Sequence, residues 1–246
     1  MTTHGVVEHF TARASHYNRS ARWCNDPEML RLMVELAGVG PGERVLDAAC
    51  GTGLVSQAIR GHVKQTIGVD LTPAMCTQAL PFVDALVLGS LETLPFASGA
   101  FDLAMCRQGI QFCNAAKTVT EMARVTRRGG RVLIVNLCAY SDEDRDEFFE
   151  IMRLRNPARQ QFFVRDDLGT LLERAGCGNV QITDYVSVED VEAWADNQAI
   201  PTARLNQIPQ CYEAASPAFR RLHKVEFAAD GRIIDHMLFA MAVGTV

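Results

Sequence analysis

Val45-Leu46-Asp47-Ala48-Ala49-Cys50-Gly51-Thr52-Gly53 decides how the rest of the chain is read. An apolar run, a tight glycine turn and a helix start follow one another there. A second apolar run ends at Asp70, about 20 residues on, the spacing of a nucleotide-binding βαβ unit. Asp47 stands before the glycines, at the carboxyl end of the first strand. A carboxylate at that place repels the pyrophosphate of a dinucleotide and favours a ligand that presents a cationic amine.

Outward from this block the chain alternates strand and helix. Expected strands cover residues 44–49, 65–69, 83–88, 101–106 and 131–137, with helices at 54–60, 73–79 and 115–125 between them. Arg127-Arg128-Gly129-Gly130 reads as the end of the last of these helices, basic and then capable of a left-handed turn. Such alternation predicts a mostly parallel, doubly wound α/β sheet with helices on both faces. Upstream, Asn25-Asp26-Pro27-Glu28 reads as an N-cap with proline in the first turn, and 38–42 closes that helix. Downstream the pattern loosens: helices at 142–154 and 166–175, a sixth strand at 180–186, a mainly helical 187–227 and a final strand at 233–243. No internal repeat interrupts it.

The chain has 246 residues, 48% hydrophobic and 22% charged, an ordinary composition for one globular domain with a full core. A formal net charge of −5 argues against a nucleic-acid backbone as partner. No apolar run approaches the roughly 18 residues needed to span a bilayer. His4, Glu8 and His9 fall where a signal peptide needs an unbroken apolar core, so a cytoplasmic location is expected, as monomer or homodimer. The eight cysteines are scattered without a CxxC pair, which reads as free thiols and no metal site.

S-adenosylmethionine is a cofactor with the required cationic amine and no phosphate. The layout resembles the class I S-adenosylmethionine-dependent methyltransferases, a Rossmann-like fold of seven strands whose last strand is antiparallel. Three blocks carry the resemblance: 45–53; Gly89-Ser90-Leu91-Glu92-Thr93-Leu94-Pro95-Phe96 followed by Phe101-Asp102; and 121–125 through 129–133. Together with 106–112 they look most similar to the small-molecule branch that holds the ubiquinone and menaquinone C-methyltransferases.

The resemblance implies roles for particular residues. Backbone at Ala48, Gly51 and Gly53 would approach the methionyl part of the cofactor, where a side chain would occupy the ligand's space. Asp47 would accept from the methionyl ammonium, directly or through water, and Asp70 from both ribose hydroxyls. Leu71 and Met75 would pack on the adenine, with Ser90 and the Leu91 amide at its edge. Ser90 stands where relatives carry an acid. Arg107 would meet the cofactor carboxylate or the substrate. Residues 1–25 would form a lid in which Tyr17 touches the cofactor. Each has a plainer alternative: an acid at a strand end also caps helices, glycines also make ordinary turns, and arginines also pair at surfaces.

Methyl transfer from a sulfonium is an in-line displacement that demands orientation and exclusion of water. Oxygen and carbon nucleophiles often also need a base. His16 is one candidate. Where relatives often carry a histidine pair near the fourth strand, Gln111 and Phe112 stand instead, which leaves Gln108 and Gln111 for positioning. Segments 138–164 and 187–227 should supply the pocket for a small-molecule methyl acceptor. Within them Arg155 and Arg159 are suited to a carboxylate or phosphate. Pairing of the local arginines with Asp146, Glu147 and Glu150 is the competing reading. A protein that binds S-adenosylmethionine without transfer, and a nicotinamide-dependent reductase, remain the rival functions. Against the reductase, Ser56 replaces the third small residue of the dinucleotide fingerprint.

Overall fold

The computed structural model describes residues 3–246. One sheet organises them. Its strands are β1 (Arg44–Ala48), β2 (Gln65–Asp70), β3 (Ala85–Leu88), β4 (Phe101–Arg107), β5 (Thr126–Leu137), β6 (Gly178–Asp190), β7 (Glu226–Phe227) and β8 (Ile233–Thr245). The order is β3-β2-β1-β4-β5-β8-β6, with the two-residue β7 pairing β8. Strands β1 to β5 run parallel, while β8 lies antiparallel to both β5 and β6. The expected doubly wound sheet with its reversed final strand is present, with β7 as a short addition.

Alternation along the central strands sends side chains to two cores. Val45, Leu103, Met105, Leu133 and Val135 face one, beside Met29, Phe148 and Trp194. Leu46, Ala104, Cys106, Val132 and Ile134 face the other, beside Val119, Met122 and Leu168. The helices that close the first face include α2 (Pro27–Ala37), α6 (Arg145–Arg155) and, after α7, α8 (Val191–Ala195), α9 (Thr202–Leu205), α10 (Gln207–Ala214) and α11 (Pro217–Leu222). On the second lie α5 (Ala115–Val125) and α7 (Asp167–Arg174). The remaining helices are α1 (Thr3–Arg13), α3 (Leu54–Ile59) and α4 (Pro73–Ala79).

Local chemistry accounts for several of these boundaries. The Asp26 carboxylate accepts from the Glu28 and Met29 amides, Pro27 opens α2, and Gly38 closes it at φ +57°. Asn114 caps α5 by accepting the Lys117 amide. The chain does not turn at Gly129 as a helix end. Helix α5 stops at Val125 and β5 begins at once, because the Gly129 amide donates to the Val246 carbonyl and Val246 donates back to Gly130. Strand β6 is likewise longer than expected and takes residues 187–190 from the helical segment. Its end, Val188 to Asp190, is held in register against residues 234–236 of β8. Pairing partners far along the chain overrode local preference there.

Candidate active site

The carboxyl ends of β1, β2 and β4 share one edge of the sheet, and the strand order reverses between β1 and β4. Ligands of open α/β sheets bind at such a switch point. Two non-glycine residues take left-handed backbone there, Ala49 after β1 (φ +59°) and Gln108 after β4 (φ +57°). Local strain of this kind concentrates at functional sites. The two turns touch: a Cβ on Gly109 would meet the Ala49 Cβ at 2.5 Å and the Cys106 Sγ at 2.7 Å. Only glycine permits that approach.

A cleft of about 660 Å³, its open mouth included, lies over this edge. Of the residues singled out from the sequence, Tyr17, Gly51, Asp70, Leu71, Met75, Ser90, Leu91, Arg107 and Gln108 line it. Asp70 accepts the Gly51 amide at 2.9 Å through one oxygen and the Thr72 amide at 2.8 Å through the other. Burial pushes its carboxyl above the usual range, against the pull of those amides. Gly51 is left-handed (φ +54°) and a Cβ on it would meet only the Ala49 carbonyl, so its open side belongs to the cleft. The Ser90 hydroxyl is occupied by the Glu92 amide at 3.2 Å.

Asp47 and Ala48 are buried in the sheet, and neither they nor Gly53 line the cleft. The Asp47 carboxylate accepts from the Ser56 amide at 3.1 Å and the Ser56 hydroxyl at 2.5 Å. Burial pushes it up to about 6, opposed by Ser56 and the Arg107 guanidinium. This arrangement bears on the ligand. A dinucleotide phosphate is held by free amides of the glycine loop and the helix start. Here the Gly51 amide is spent on Asp70 and the Ser56 amide on Asp47. The Asp70 carboxylate, held by the loop, faces the cleft with Asp47 buried behind it, which fits a phosphate-free, amine-bearing cofactor.

Helix α1 spans the cleft. On one side the Ala14 carbonyl accepts from Gln78 of α4 at 2.6 Å; on the other Phe10 meets Phe112 edge-on at 4.8 Å. Val6, Phe10 and Tyr17 thereby line the cleft from above. The apolar contribution of Val6 and Phe10 carried no motif, only helical spacing. Residues 1 and 2 of the expected lid lie outside the described residues. His16 is exposed and lines neither this cleft nor its neighbour, so the structure brings no histidine base to the edge from that position.

A second cavity, with about 390 Å³ of unfilled space, adjoins the first. The two share Phe10, Tyr17, Gln108 and Phe112. Gln111 Nε2 donates to Gln108 Oε1 at 2.7 Å beside it. Arg155 and Arg159 line it together with Arg13, which the sequence did not single out. The helix-surface pairing weighed for the arginines of α6 is realised by Arg153, with Glu150 at 3.8 Å, and not by Arg155. Segment 138–164 reaches this cavity through Met152, Arg155, Asn156 and Arg159. Segment 187–227 lines neither cavity. Its Trp194, Tyr212 and Phe219 are buried in the core, and the Trp194 carbonyl holds Arg155 Nε at 2.8 Å from behind. Burial pushes the Tyr17 hydroxyl up to about 12, so it stays protonated.

The eight cysteines are free thiols, and no helix among the described residues is long and apolar enough to cross a membrane. Residues 46–134 match the family described as methyltransferase domain. The uncharacterized methyltransferase YcgJ of Bacillus subtilis is 28% identical over 243 residues, 95% of this chain and 96% of that one. The crystal structure of YcgJ superposes with a TM-score of 0.81 at 26% identity, over 89% of this chain and 97% of that one. A malonyl-[acyl-carrier protein] O-methyltransferase of Erwinia billingiae is 34% identical over 142 residues, 55% of each chain. The strand order, the glycine loop and these relatives agree: residues 46–134 carry a methyltransferase domain, and the chain is similar along its length to a methyltransferase of the same fold.

Proposed function

We propose that this protein transfers the methyl group of S-adenosylmethionine to a carbon or oxygen atom of a small molecule seated in the second cavity. The observation that carries the reading is the shared wall: Phe10, Tyr17, Gln108 and Phe112 belong to both cavities. A methyl donor in one and an acceptor in the other would meet across those four side chains. The Erwinia relative, by its name, methylates oxygen, which supports an oxygen acceptor without excluding carbon.

The cofactor would be held by Asp70 at its ribose, by Leu71 and Met75 on the adenine, and by Ser90 and the Leu91 amide at the adenine edge. Gly51 backbone and the Asp47 and Arg107 charges would serve the methionyl end, with Tyr17 above. When bound, it supplies an electrophilic methyl on a cationic sulfur. What the chain contributes is placement and dryness: α1 and its aromatic residues exclude water, and the Gln108–Gln111 pair fixes polar atoms at the cavity wall. No Asp, Glu or His lines the second cavity. The nucleophile must therefore arrive ionised or ionise readily, and buried arginines favour the anion.

Incubating purified protein with S-adenosylmethionine and an acceptor library, with S-adenosylhomocysteine read by mass spectrometry, tests this. Acceptor-dependent product supports transfer. Tight S-adenosylhomocysteine binding with no turnover on any acceptor favours the second reading, a binding protein without transfer, to which the missing base lends weight. The nicotinamide reading is disfavoured by the Asp70 and Asp47 carboxylates, which take the Gly51 and Ser56 amides.

A further inference from the structure

The second cavity is unusual in its charge. Three arginines line it and no carboxylate does. Arg13 and Arg155 are more than nine-tenths buried. Among the described residues none of Arg13, Arg155 and Arg159 has an acidic partner within 4.0 Å, whereas nine other arginines do. Glu189 is an acid whose field reaches Arg155, but its oxygens are taken by the Ser187 hydroxyl and the Arg22 and Trp23 amides. Isolated buried charge is costly unless something neutralises it.

The polar inventory points the same way. Arg13 Nε, Trp23 Nε1, Gln108 Nε2, Arg155 Nη2 and Arg159 Nη1 are buried donors without a partner among the described residues, and every one belongs to a residue lining this cavity. Gln111 Oε1 is the single unpartnered acceptor beside them. Buried polar atoms are nearly always paired, so a cluster of orphaned donors marks a place for an external acceptor-rich group. Apart from Asn156, the remaining wall is apolar: Phe10, Tyr17, Trp23 and Phe112, with Leu137 and Met152.

We infer that the acceptor is a small oxyanion, a carboxylate or phosphate on a flat apolar body, gripped by Arg13, Arg155 and Arg159. Arginine suits this task because its planar fork matches two oxygens at once. The three come from separate places: Arg13 from the end of α1, Arg155 from the end of α6, Arg159 from the loop beyond. Arg13 sits over the Tyr17 and Phe10 rings at 5.2 and 5.5 Å, and Arg155 over the Trp194 indole at 4.3 Å. Neutral rings orient these cations without discharging them. Burial, and for Arg155 also Arg13, pushes Arg155 down to about 9 and Arg159 down to about 10, which an anion would reverse. Because Arg13 rides on the helix that covers the cofactor cleft, the anion would also draw that helix down.

This inference rests on reading the second cavity as the acceptor site, and the experiment separates the two. Protein saturated with S-adenosylhomocysteine is titrated calorimetrically with benzoate, phenylacetate and phenyl phosphate, and with benzamide, phenylacetamide and benzyl alcohol as neutral counterparts. At least one anion should bind tenfold or more tightly than its neutral counterpart, and the carboxylate and phosphate arms show which oxyanion is preferred. Arg159→Gln should weaken that anion at least tenfold while S-adenosylhomocysteine affinity stays within twofold. Its side chain makes no hydrogen bond to the described residues, so the fold should survive, which a melting curve checks. Arg155→Lys keeps the charge and should retain more anion affinity than Arg155→Gln. Neutral ligands binding as well as anions, no anion binding at all, or an Arg159→Gln variant with unchanged anion affinity each overturn the inference. Anion binding without turnover on any acceptor leaves the anion site standing and overturns transfer instead.

Discussion

The Asp70 carboxylate accepts the Gly51 amide across 2.9 Å, so the acid that ends β2 and the glycine loop that follows β1 form one unit. The loop conformation and the charge facing the cleft therefore depend on the same side chain. Asp70→Ala removes the Gly51 and Thr72 bonds together with the acceptor intended for the ribose. Hydrogen bonds to a charged group contribute about 1.5–3 kcal/mol each. Loss of even one such bond to the ribose should raise the dissociation constant for S-adenosylhomocysteine roughly 10- to 100-fold, at tenfold per 1.4 kcal/mol. Calorimetry measures it, and a change below about threefold removes Asp70 from the cofactor site.

With Asp47 serving the methionyl ammonium as proposed, cofactor binding has a pH dependence of known sign. Burial holds its carboxyl up at about 6, and Asp70 is displaced in the same direction. A ligand ammonium prefers the ionised acids, so affinity should be full above pH 7 and decline as the pH falls through 6. If binding required ionised Asp47 alone, the loss between pH 7.5 and 5 would be about tenfold. S-adenosylhomocysteine retains the ammonium, so its affinity can be followed across this range without turnover. Asp47→Asn should bind more weakly at pH 7.5 and show a flatter profile. An identical profile in the variant would place the titration elsewhere.

The fold was legible from 44 to 137 because β1, β2 and β4 are central and buried on both faces, so apolar runs and punctuating glycines coincide with their ends, while β3 at the sheet edge showed only as a short apolar run. Strand β6 was only half legible. Its last residues, Ser187 to Asp190, are polar but for Val188, and what makes them a strand is a ladder with β8, nearly fifty residues away. The cleft residues at strand ends were visible as motifs, whereas Arg13 was not. Its meaning comes from burial beside Arg155 and Arg159, a juxtaposition created by packing α1 over the sheet edge. Asp47 was correctly placed at the end of β1 but turns to Ser56, a partner nine residues on that the helix start supplies.

Gly109 joins the two turns at the floor of the cleft, and its substitution should separate them. In Gly109→Ala the new methyl group meets Ala49 and Cys106 at distances no side chain tolerates, so β1 and β4 must part at their ends. Overpacking of this kind costs about 1–3 kcal/mol. Each kcal/mol should lower the Tm by roughly 2–4 °C in a chain of this size. Because Ala49 and Gln108 both line the cleft or its neighbour, S-adenosylhomocysteine affinity should fall as well. A variant with wild-type Tm and affinity would show that the turns yield freely.

His223 carries the strongest stability prediction, well away from the cleft. It is fully buried between the Phe148 and Phe219 rings, with Nδ1 at 2.8 Å from Asp235 and Nε2 at 3.0 Å from Asp144. Burial opposes its charge, but the two carboxylates outweigh that and push it up to about 9. A histidine with its folded value raised stabilises fully below the unfolded value near 6.5 and loses that contribution as the pH climbs through 9. Asp144 sets the opposite limb: burial raises it, yet His223 and the Tyr140 and Ser141 amides bring it below the usual carboxylate range. Its share is present above the ordinary carboxylate value and disappears in stronger acid. Calorimetric Tm should therefore be highest on the acidic side of neutrality and fall between pH 6.5 and 9.5. His223→Gln removes the charge between two buried acids, a change costing about 3–5 kcal/mol, and should abolish the decline over that interval. A wild-type Tm that stays level from pH 6.5 to 9.5 would mean that the imidazole is neutral in the fold and that one of its two acids holds the proton.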